Sequence, residues 1–281
     1  MFGRLANSWE LVKSSAKVLA ADKELLIFPI ISSTGVLVVS AAFIIPSIFA
    51  NLFDSLFTGD FQFVGFVVLF LFYVVQYTVI FYMNTALVGA ALIRLRGGDP
   101  TVKDGFRIAS KHFGPIVGYA LIAATVGVIL KSISDRSKGL GRFVVDLIGL
   151  AWNLATFLVV PVLAVEDVGP LDAIKRSVEL LKRTWGEQIA GNIGLGSIFA
   201  LLFIGLGLSG TALIFFAISV LESAVMAVVI GAGLVLVFLL LGLVNSTLSG
   251  IYTAAVYQYA VSGQSDGFFE PELVENAFRP V

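Results

Sequence analysis

Long apolar stretches alternate with shorter charged stretches along the chain, and the alternation occurs three times. Each charged, amphipathic stretch leads into two apolar runs. The amphipathic stretches are Phe2–Ala21, Asp99–Phe113 and Pro170–Gln188. The apolar runs are approximately Leu25–Ala50, Phe63–Ile93, Pro115–Leu130, Phe143–Val165, Ile189–Phe216 and Ala224–Ala260. Because about 20 apolar residues cross a hydrocarbon core of ~30 Å, the runs predict membrane-spanning helices.

The pattern predicts an all-α, polytopic transmembrane helical bundle of six spans, forming a single integral membrane domain over residues 1–281. Three repeated units of amphipathic helix plus transmembrane hairpin are expected at about 1–93, 94–165 and 166–260, with a cytoplasmic tail at 261–281. Ser8–Ser15 and Ser177–Thr184 match in residue type, position by position, which favours duplication. The turn between spans five and six is expected at Gly205, Gly207, Ser209 and Gly210. The Asp99-Pro100 and Gly169-Pro170 pairs each predict a helix that begins at proline.

Composition supports the membrane class and excludes several kinds of site. The chain is 58% hydrophobic and 13% charged, about half the charged fraction of a typical soluble domain. It has no cysteine and one histidine, His112, so a thiolate site or a histidine cluster within one chain is excluded. We expect no metal and no cofactor. His112 is predicted to lie at the membrane interface, near lipid headgroups.

The basic residues predict the orientation. All but four of the 18 Lys and Arg residues lie before span one, between spans two and three, between spans four and five, or in the tail. The exceptions share one linker: Lys131, Arg136, Lys138 and Arg142. The positive-inside rule then predicts that both termini and the three amphipathic stretches lie in the cytoplasm, and the expected location is the inner membrane. Cysteine at Asp54 or Gly139 should react with an impermeant reagent from outside, and cysteine at Gly97 or Gly267 should not.

The first and third amphipathic stretches place apolar residues three and four positions apart, which predicts one apolar stripe on each helix. The stripes are Phe2, Leu5, Trp9, Val12, Ala16 and Leu19, and Leu171, Ile174, Val178, Leu181 and Trp185. Such helices lie among headgroups, with basic side chains near anionic phospholipid. The predicted headgroup-binding residues are Arg4, Trp9, Lys13, Lys17, Lys175, Arg176, Lys182, Arg183 and Trp185. The alternative is that these helices only cap the bundle by packing.

Polar residues inside the spans are the second set of candidates, because they are costly to bury in lipid without a partner. They are Gln76, Asn84, Asp146, Asn153, Asn245, Ser249 and Thr253. Each even-numbered span has an asparagine two to three turns from its cytoplasmic end. These amides either hold helices together by hydrogen bonds or converge on a polar pathway. Arg142, one turn before Asp146, predicts an ion pair within the helix.

One passage carries a resemblance to known families. In Pro161–Ser177 a span ends in an acidic residue, a Gly-Pro turn follows, and an Ala-x-x-x-Ser helix leads to the next span. This resembles a pattern in uncharacterised prokaryotic membrane families, including the membrane domain fused to glycerophosphodiester phosphodiesterases. The whole plan, with its N-terminal Ser-Trp-Glu helix, is similar to a small bacterial six-span family of unknown function. The resemblance implies architecture rather than hydrolysis, because the 281 residues contain no phosphodiesterase catalytic domain.

These features favour a non-enzymatic membrane protein that organises lipid or binds a partner through its basic helices. The alternative is a transporter or channel with a polar pathway near Asn84, Asn153 and Asn245. A membrane enzyme is a remote alternative, because the sequence has no nucleophile elbow, phosphate-binding loop or paired carboxylates in a span. The expected partners are membrane lipids, above all anionic phospholipid, and a second copy of the chain or another membrane protein. Nucleic acid is not expected.

Overall fold

The structure is a computed structural model that describes residues 2–49, 62–185, 196–220, 222–264, 267–270 and 274, with the backbone alone at 2–8, 47–49, 62, 140, 185 and 196–197. Over this part of the chain the regular structure is helical, without strands. A short 3₁₀ helix, Lys23–Leu26, precedes the second α-helix. The α-helices are α1 (Phe2–Ala21), α2 (Ile27–Phe49), α3 (Gln62–Leu95), α4 (Val102–Lys111), α5 (Phe113–Arg136), α6 (Leu140–Ala155), α7 (Val159–Val165), α8 (Pro170–Trp185), α9 (Gly196–Ser219) and α10 (Ala224–Ser262).

Six helical segments of the described chain are long and apolar enough to cross a membrane. They are Lys23–Pro46, Phe63–Leu95, Phe113–Arg136, Gly141–Val165, Ile198–Ser219 and Ala224–Ser262. The predicted all-α bundle of six spans is confirmed, and the chain is a multi-pass membrane protein. An amphipathic helix precedes each pair of spans, in the predicted order. Superposition of the three units stays a prediction.

The hydrophobic core lies at one end of the bundle, here called the basic end, where α1, α4 and α8 pack on the last turns of α3 and α10. At 1.5 Å per residue, α3 and α10 are about 50 Å and about 60 Å long, well beyond the ~30 Å hydrocarbon layer. Their last turns supply much of this core, including Ala86, Leu92, Ile251 and Val256. The opposite, distal end contains the α5–α6 linker and the α9–α10 turn.

The apolar face that α1 turns towards the core overlaps the predicted stripe only in part. Leu11, Ser15 and Val18 are buried together with Val12 of the stripe, whereas Trp9 and Ala16 of the stripe are exposed.

The same partial overlap occurs in α8. Ala173, Ser177 and Leu180 are buried together with Leu181 of the stripe, whereas Leu171 is exposed. Both helices have apolar residues on more than one face, so spacing alone could not select the face that packs.

The two matching segments agree in environment at some paired positions and differ at others. Leu11 and Leu180 are both buried, and Lys13 and Lys182 are both exposed. Ser14 is buried, whereas its counterpart Arg183 is exposed. Duplication of the amphipathic helix therefore stays a prediction.

Span four is broken into α6 and α7, and Pro161 explains the break. Proline has no N–H to donate, and its ring collides with the carbonyl four residues earlier, here that of Phe157. The freed backbone N–H of Leu158 donates to the Ser177 side chain of α8, at 3.0 Å. The buried serine of the Ala-x-x-x-Ser sequence thus joins α8 to the broken span.

The predicted turn at Gly205–Gly210 is wrong, because α9 continues through these glycines to Ser219. The chain reverses between the end of α9 at Ser219 and the start of α10 at Ala224, and Glu222 has a φ of 47°. A Cβ on Gly210 would lie 2.5 Å from Cδ1 of Leu234. Small residues allow close helix packing in membranes, and this glycine brings α9 against α10.

The proline prediction is confirmed for α8, which begins at Pro170, but is wrong for α4. α4 begins at Val102 with Thr101 as its N-cap. Thr101 Oγ1 accepts from the backbone N–H of Asp104, and the Asp104 carboxylate accepts from the backbone N–H of Thr101. This reciprocal capping box determines where the helix starts.

Candidate functional site

The exposed face of α1 brings an indole and ammonium groups together. Trp9 is 48% exposed, and Lys13 Nζ lies 6.0 Å from the centre of its ring. Lys13 also lies 2.7 Å from the Glu10 carboxylate, and Lys17 is exposed one turn further on. An indole beside ammonium groups suits the boundary between hydrocarbon and anionic headgroups. The side chains of Arg4 and Trp185 lie outside the described part of the structure.

The four cations predicted on α8 divide into two kinds. Lys182 and Arg183 are exposed, and no ion pair of the described residues involves them. Lys175 is exposed and lies 3.0 Å from the Asp172 carboxylate. Arg176 is partly buried and bound to two carboxylates. Of these four α8 cations, Lys182 and Arg183 are the two without a carboxylate partner among the described residues.

Arg176 belongs to a network that joins α8 to the chain after α7 and to α10. Its Nε donates to Glu166 at 3.2 Å, and one terminal nitrogen donates to Glu179 at 3.1 Å. The Tyr257 hydroxyl donates to the same Glu166 oxygen at 3.0 Å. The hydrogen bonds to Glu179 and Glu166 raise the pKa of the Arg176 guanidinium. This partly buried arginine therefore connects three segments of the basic end.

A second network joins the end of α1 to the end of α3. The Arg94 guanidinium donates to the buried Asp22 carboxylate at 3.4 Å and also binds Asp99. Glu24 accepts from the backbone N–H of Val102 at 3.2 Å. The first amphipathic helix is therefore tied to the second by charged hydrogen bonds, which are stronger than neutral ones.

The His112 side chain is buried within the protein, and its position at the level of the lipid headgroups stays a prediction. Its Nδ1 lies 3.0 Å from the Ile108 carbonyl oxygen, and its Nε2 lies 3.0 Å from Asp167. Hydrogen bonds from Lys111 and His112 lower the pKa of the Asp167 carboxyl. The histidine joins α4 to the loop after α7. A sequence pattern does not show this, because the two partners are 55 residues apart.

The intramembrane polar residues include one clear structural contact. Gln76 of α3 donates to Ser40 of α2 at 2.7 Å and to the Val36 carbonyl at 3.3 Å. This amide links the two spans of the first hairpin, as polar residues commonly do between membrane helices. In α10, the Thr253 hydroxyl donates to the Ser249 carbonyl of its own helix at 2.8 Å.

Contacts between the even-numbered spans place the three asparagines at a similar depth. A Cβ on Gly250 would lie 2.5 Å from Cδ2 of Leu87, and the rings of Phe157 and Tyr252 are 6.2 Å apart. Since these spans all run towards the basic end, the asparagines lie within about two turns of one another along the bundle. They are Asn84, Asn153 and Asn245.

A cavity of about 500 Å³ opens between α3, α5 and α6. Much of its wall is aromatic, from Tyr77, Phe81, Tyr119 and Trp152. Asn153 also lines the cavity, but Asn84 and Asn245 do not. The Asn245 side-chain oxygen is buried, without a hydrogen-bond partner among the described residues. Similar depth therefore does not bring the three amides into this cavity.

The predicted ion pair between Arg142 and Asp146 does not form. Both side chains are exposed, and the described ion pairs of this region include only Lys131 with Asp135, at 3.0 Å. Exposed pairs gain little over solvation of the separate charges. Asp146 instead lines an open depression together with Asn153.

Sequence reasoning missed the residues that organise the basic end, namely Asp22, Arg94, Glu166, Ser177 and Tyr257. Each is joined to a partner from another segment. The one available signal was the acidic residue at the end of span four, within the Pro161–Ser177 pattern. That pattern identified Glu166 and Ser177 as features of a resemblance, without their hydrogen-bond partners.

No curated protein and no solved structure matches the chain. A family model described as "Family of unknown function (DUF6159)" matches residues 63–268, which include spans two to six. The predicted resemblance to an uncharacterised family is thereby confirmed, and the likeness to the phosphodiesterase-fused membrane domain stays a prediction. With most of its length matched, the chain belongs to this family of unknown function.

Proposed function

We propose that this chain is a non-enzymatic inner-membrane protein that binds anionic phospholipid headgroups and organises lipid at its basic end. The observation that supports the proposal is that α1 and α8 each have one buried apolar face and one exposed basic face. Leu11 and Leu180 fix one face of each helix in the core, while Lys13 and Lys182 stay exposed on the other.

Burial of one face prevents the helices from rotating, so their cations remain on the surface where the spans end. Each cation near an anionic membrane contributes about 1 kcal/mol. Four cations together attract anionic headgroups, and neutral headgroups lack this attraction. The four are Lys13, Lys17, Lys182 and Arg183. The exposed Trp9 adds an indole, which favours the headgroup boundary.

The proposed orientation has the basic end and both termini in the cytoplasm. α1, α4 and α8 meet at this end with their lysines and arginines, and Lys131, Lys138 and Arg142 lie at the distal end. The positive-inside rule assigns the richer side to the cytoplasm. In bacteria that surface contains anionic lipid, which the basic helices would contact.

Replacement of four exposed cations of α1 and α8 tests the proposal. The variant K13Q/K17Q/K182Q/R183Q should retain severalfold less anionic phospholipid through purification, because it loses about 1 kcal/mol of attraction per charge. Lipid mass spectrometry of the purified protein measures the loss. Arg176 is left in place, because its removal would disturb the network with Glu166 rather than surface charge alone.

The matched control, K131Q/R136Q/K138Q/R142Q, removes the same number of cations from the distal end. It should retain the wild-type complement of anionic lipid. An unchanged complement in the first variant, or an equal loss in both, would contradict the proposal.

Transport is the second candidate, and the cavity beside Asn153 is the observation in its favour. Tyr77, Tyr119 and Asn153 give it polar groups within the membrane. Towards the basic end, however, Leu158 and Val162 are fully buried in a packed core. The cavity is therefore closed towards the basic end, and only one of the three asparagines lines it. This observation supports transport less strongly than the exposed basic helices support lipid binding.

A further inference from the structure

A separate pocket of about 270 Å³ lies at the basic end, between the last turns of α3, helix α4 and the end of α7. Its polar lining is cationic: Arg96 comes from the end of α3, and Arg107 and Lys111 come from α4. His112 also lines the pocket. No carboxylate belongs to the lining. These three cations belong to the basic stretch between spans two and three, and they lie outside the surfaces of α1 and α8.

The pocket lies at the level where membrane spans begin and end. Span two ends at Leu95, span three begins at Phe113, and span four ends at Val165. Arg96, His112 and Val165 therefore stand within a residue of three span boundaries. We expect this level to coincide with the headgroup region of the bilayer.

The charges in and around the pocket leave a positive excess. Arg107 lies 2.8 Å from the Asp104 carboxylate, and Lys111 lies 3.0 Å from Asp167. Arg96 Nε donates to the neutral amide of Gln258 at 3.0 Å, so no carboxylate offsets its charge there. The three cations thus outnumber the two carboxylates by one. A ligand with a negative charge would be attracted to this pocket.

The rest of the lining is apolar and faces the spans. Ile93 and Ile108 contribute side chains from α3 and α4, and Val165, at the end of α7, is exposed. A Cβ on Gly89 would lie 2.9 Å from Ile108, so glycine allows α4 to close this side of the pocket. An amphipathic ligand fits such a lining, with its anionic group among the cations and its tail against the isoleucines.

We propose that this pocket is a discrete binding site for the phosphate group of a membrane phospholipid. Arg96, Arg107 and Lys111 bind the phosphate oxygens, and the apolar wall receives the start of the acyl chains. Arginine and lysine are the usual phosphate-binding residues of proteins. The inference deepens the proposed lipid binding, but it rests on residues that the surface variant above does not change.

Removal of the two pocket cations that belong to α4 tests the site. The full-length R107Q/K111Q protein should bind phosphatidylglycerol about 30-fold more weakly at its tightest site, from the loss of two headgroup contacts. Titration with phosphatidylglycerol, followed by native mass spectrometry, gives the Kd of the first bound lipid. The matched control, K23Q/K103Q, removes two exposed cations of the same end that do not line the pocket, and it should keep the wild-type Kd.

Three further measurements complete the test. The charge-preserving R107K/K111R protein should keep most of the affinity. Inorganic phosphate should displace the lipid only in large excess, because it lacks a tail; displacement at concentrations equal to those of the lipid would overturn the lipid assignment. If R107Q/K111Q does not elute as a single folded species, Arg96→Gln replaces it, and it should weaken the same first binding step.

These experiments test the pocket proposal and the proposed function independently of each other. An unchanged first Kd in R107Q/K111Q, or an equal loss in K23Q/K103Q, would overturn the pocket, even where the α1 and α8 variant loses lipid. Loss of the first lipid in R107Q/K111Q, together with normal lipid retention by the surface variant, would support the pocket and contradict the broader surface role.

Discussion

Replacing Gly105 with alanine should destabilise the protein by about 2 kcal/mol, although the same change usually stabilises an exposed helix. Gly105 of α4 lies against α3 and α2. An added Cβ would collide with the Phe28 ring and lie 2.7 Å from the Ala86 carbonyl oxygen. The carbonyl belongs to a helix backbone within the core and cannot move aside as a side-chain end can. The midpoint of thermal unfolding in detergent, followed by size-exclusion chromatography, measures the effect.

Gly233→Ala is the matched control for this prediction. Gly233 lies within α10, and nothing approaches the position of its Cβ within 4 Å. Its replacement should leave the unfolding midpoint unchanged or slightly higher, since alanine favours the helix by up to about 1 kcal/mol. An equal fall in both variants would show that α4 does not pack as described.

The second large effect is expected from Arg176→Gln, at about 2 kcal/mol of destabilisation. The change removes a charged hydrogen bond to Glu166, and such a bond contributes about 1.5–3 kcal/mol when lost. The pair with Glu179, which is 69% exposed, adds below about 1 kcal/mol. The change also leaves Glu166, whose side chain is only 25% exposed, without its cation. Tyr257 remains a donor to Glu166, so part of the network persists. Chemical denaturation in detergent gives the change in the free energy of unfolding.

Lys175→Gln removes the same charge one residue earlier. Lys175 is exposed and pairs only with Asp172 of the same helix, and such surface pairs contribute below about 1 kcal/mol. The two variants should therefore differ clearly in stability while sharing the same net charge. If the two variants have the same free energy of unfolding, the Arg176 network adds nothing to the stability of the basic end.

The sequence alone was sufficient to predict the helices and the membrane spans, because the length of an apolar run depends only on consecutive residues. The start of α1 at Phe2 and the start of α10 at Ala224 agree with the predicted stretches. Predictions from single residues were wrong where the same residue type can serve two structural purposes. The glycines at 205–210 were interpreted as a turn, but Gly210 packs α9 on α10. Pro100 was interpreted as the first helical residue, but Thr101 forms the cap of α4.

The candidate sites were harder to predict, because they depend on partners that are far apart in the chain. Arg176 resembles a surface cation within α8, and only the contacts with Glu166 and Tyr257 show that it joins different segments. The phosphate pocket likewise combines Arg96 with residues of α4 and with Val165. Periodicity predicted that α1 and α8 were amphipathic, but it could not decide which of their apolar faces enters the core.

The structure also improves the choice of positions for a topology experiment. Gly97 and Gly139 have φ values of 82° and 57°, where any other residue is strained. Asp54 lies outside the described residues. Lys103 and Gln264 at the basic end and Lys138 at the distal end are exposed and have no such constraint. Since the chain has no cysteine, each introduced thiol is unique.

Labelling of these three single-cysteine proteins in intact bacterial cells with a membrane-impermeant maleimide tests the central claim most directly. That claim is that the basic end faces the cytoplasm, where its cations meet anionic headgroups. We expect K138C to be labelled from outside, and K103C and Q264C to be labelled only after the cells are opened. Labelling of K103C and Q264C in intact cells, with K138C protected, would reverse the orientation and contradict the account.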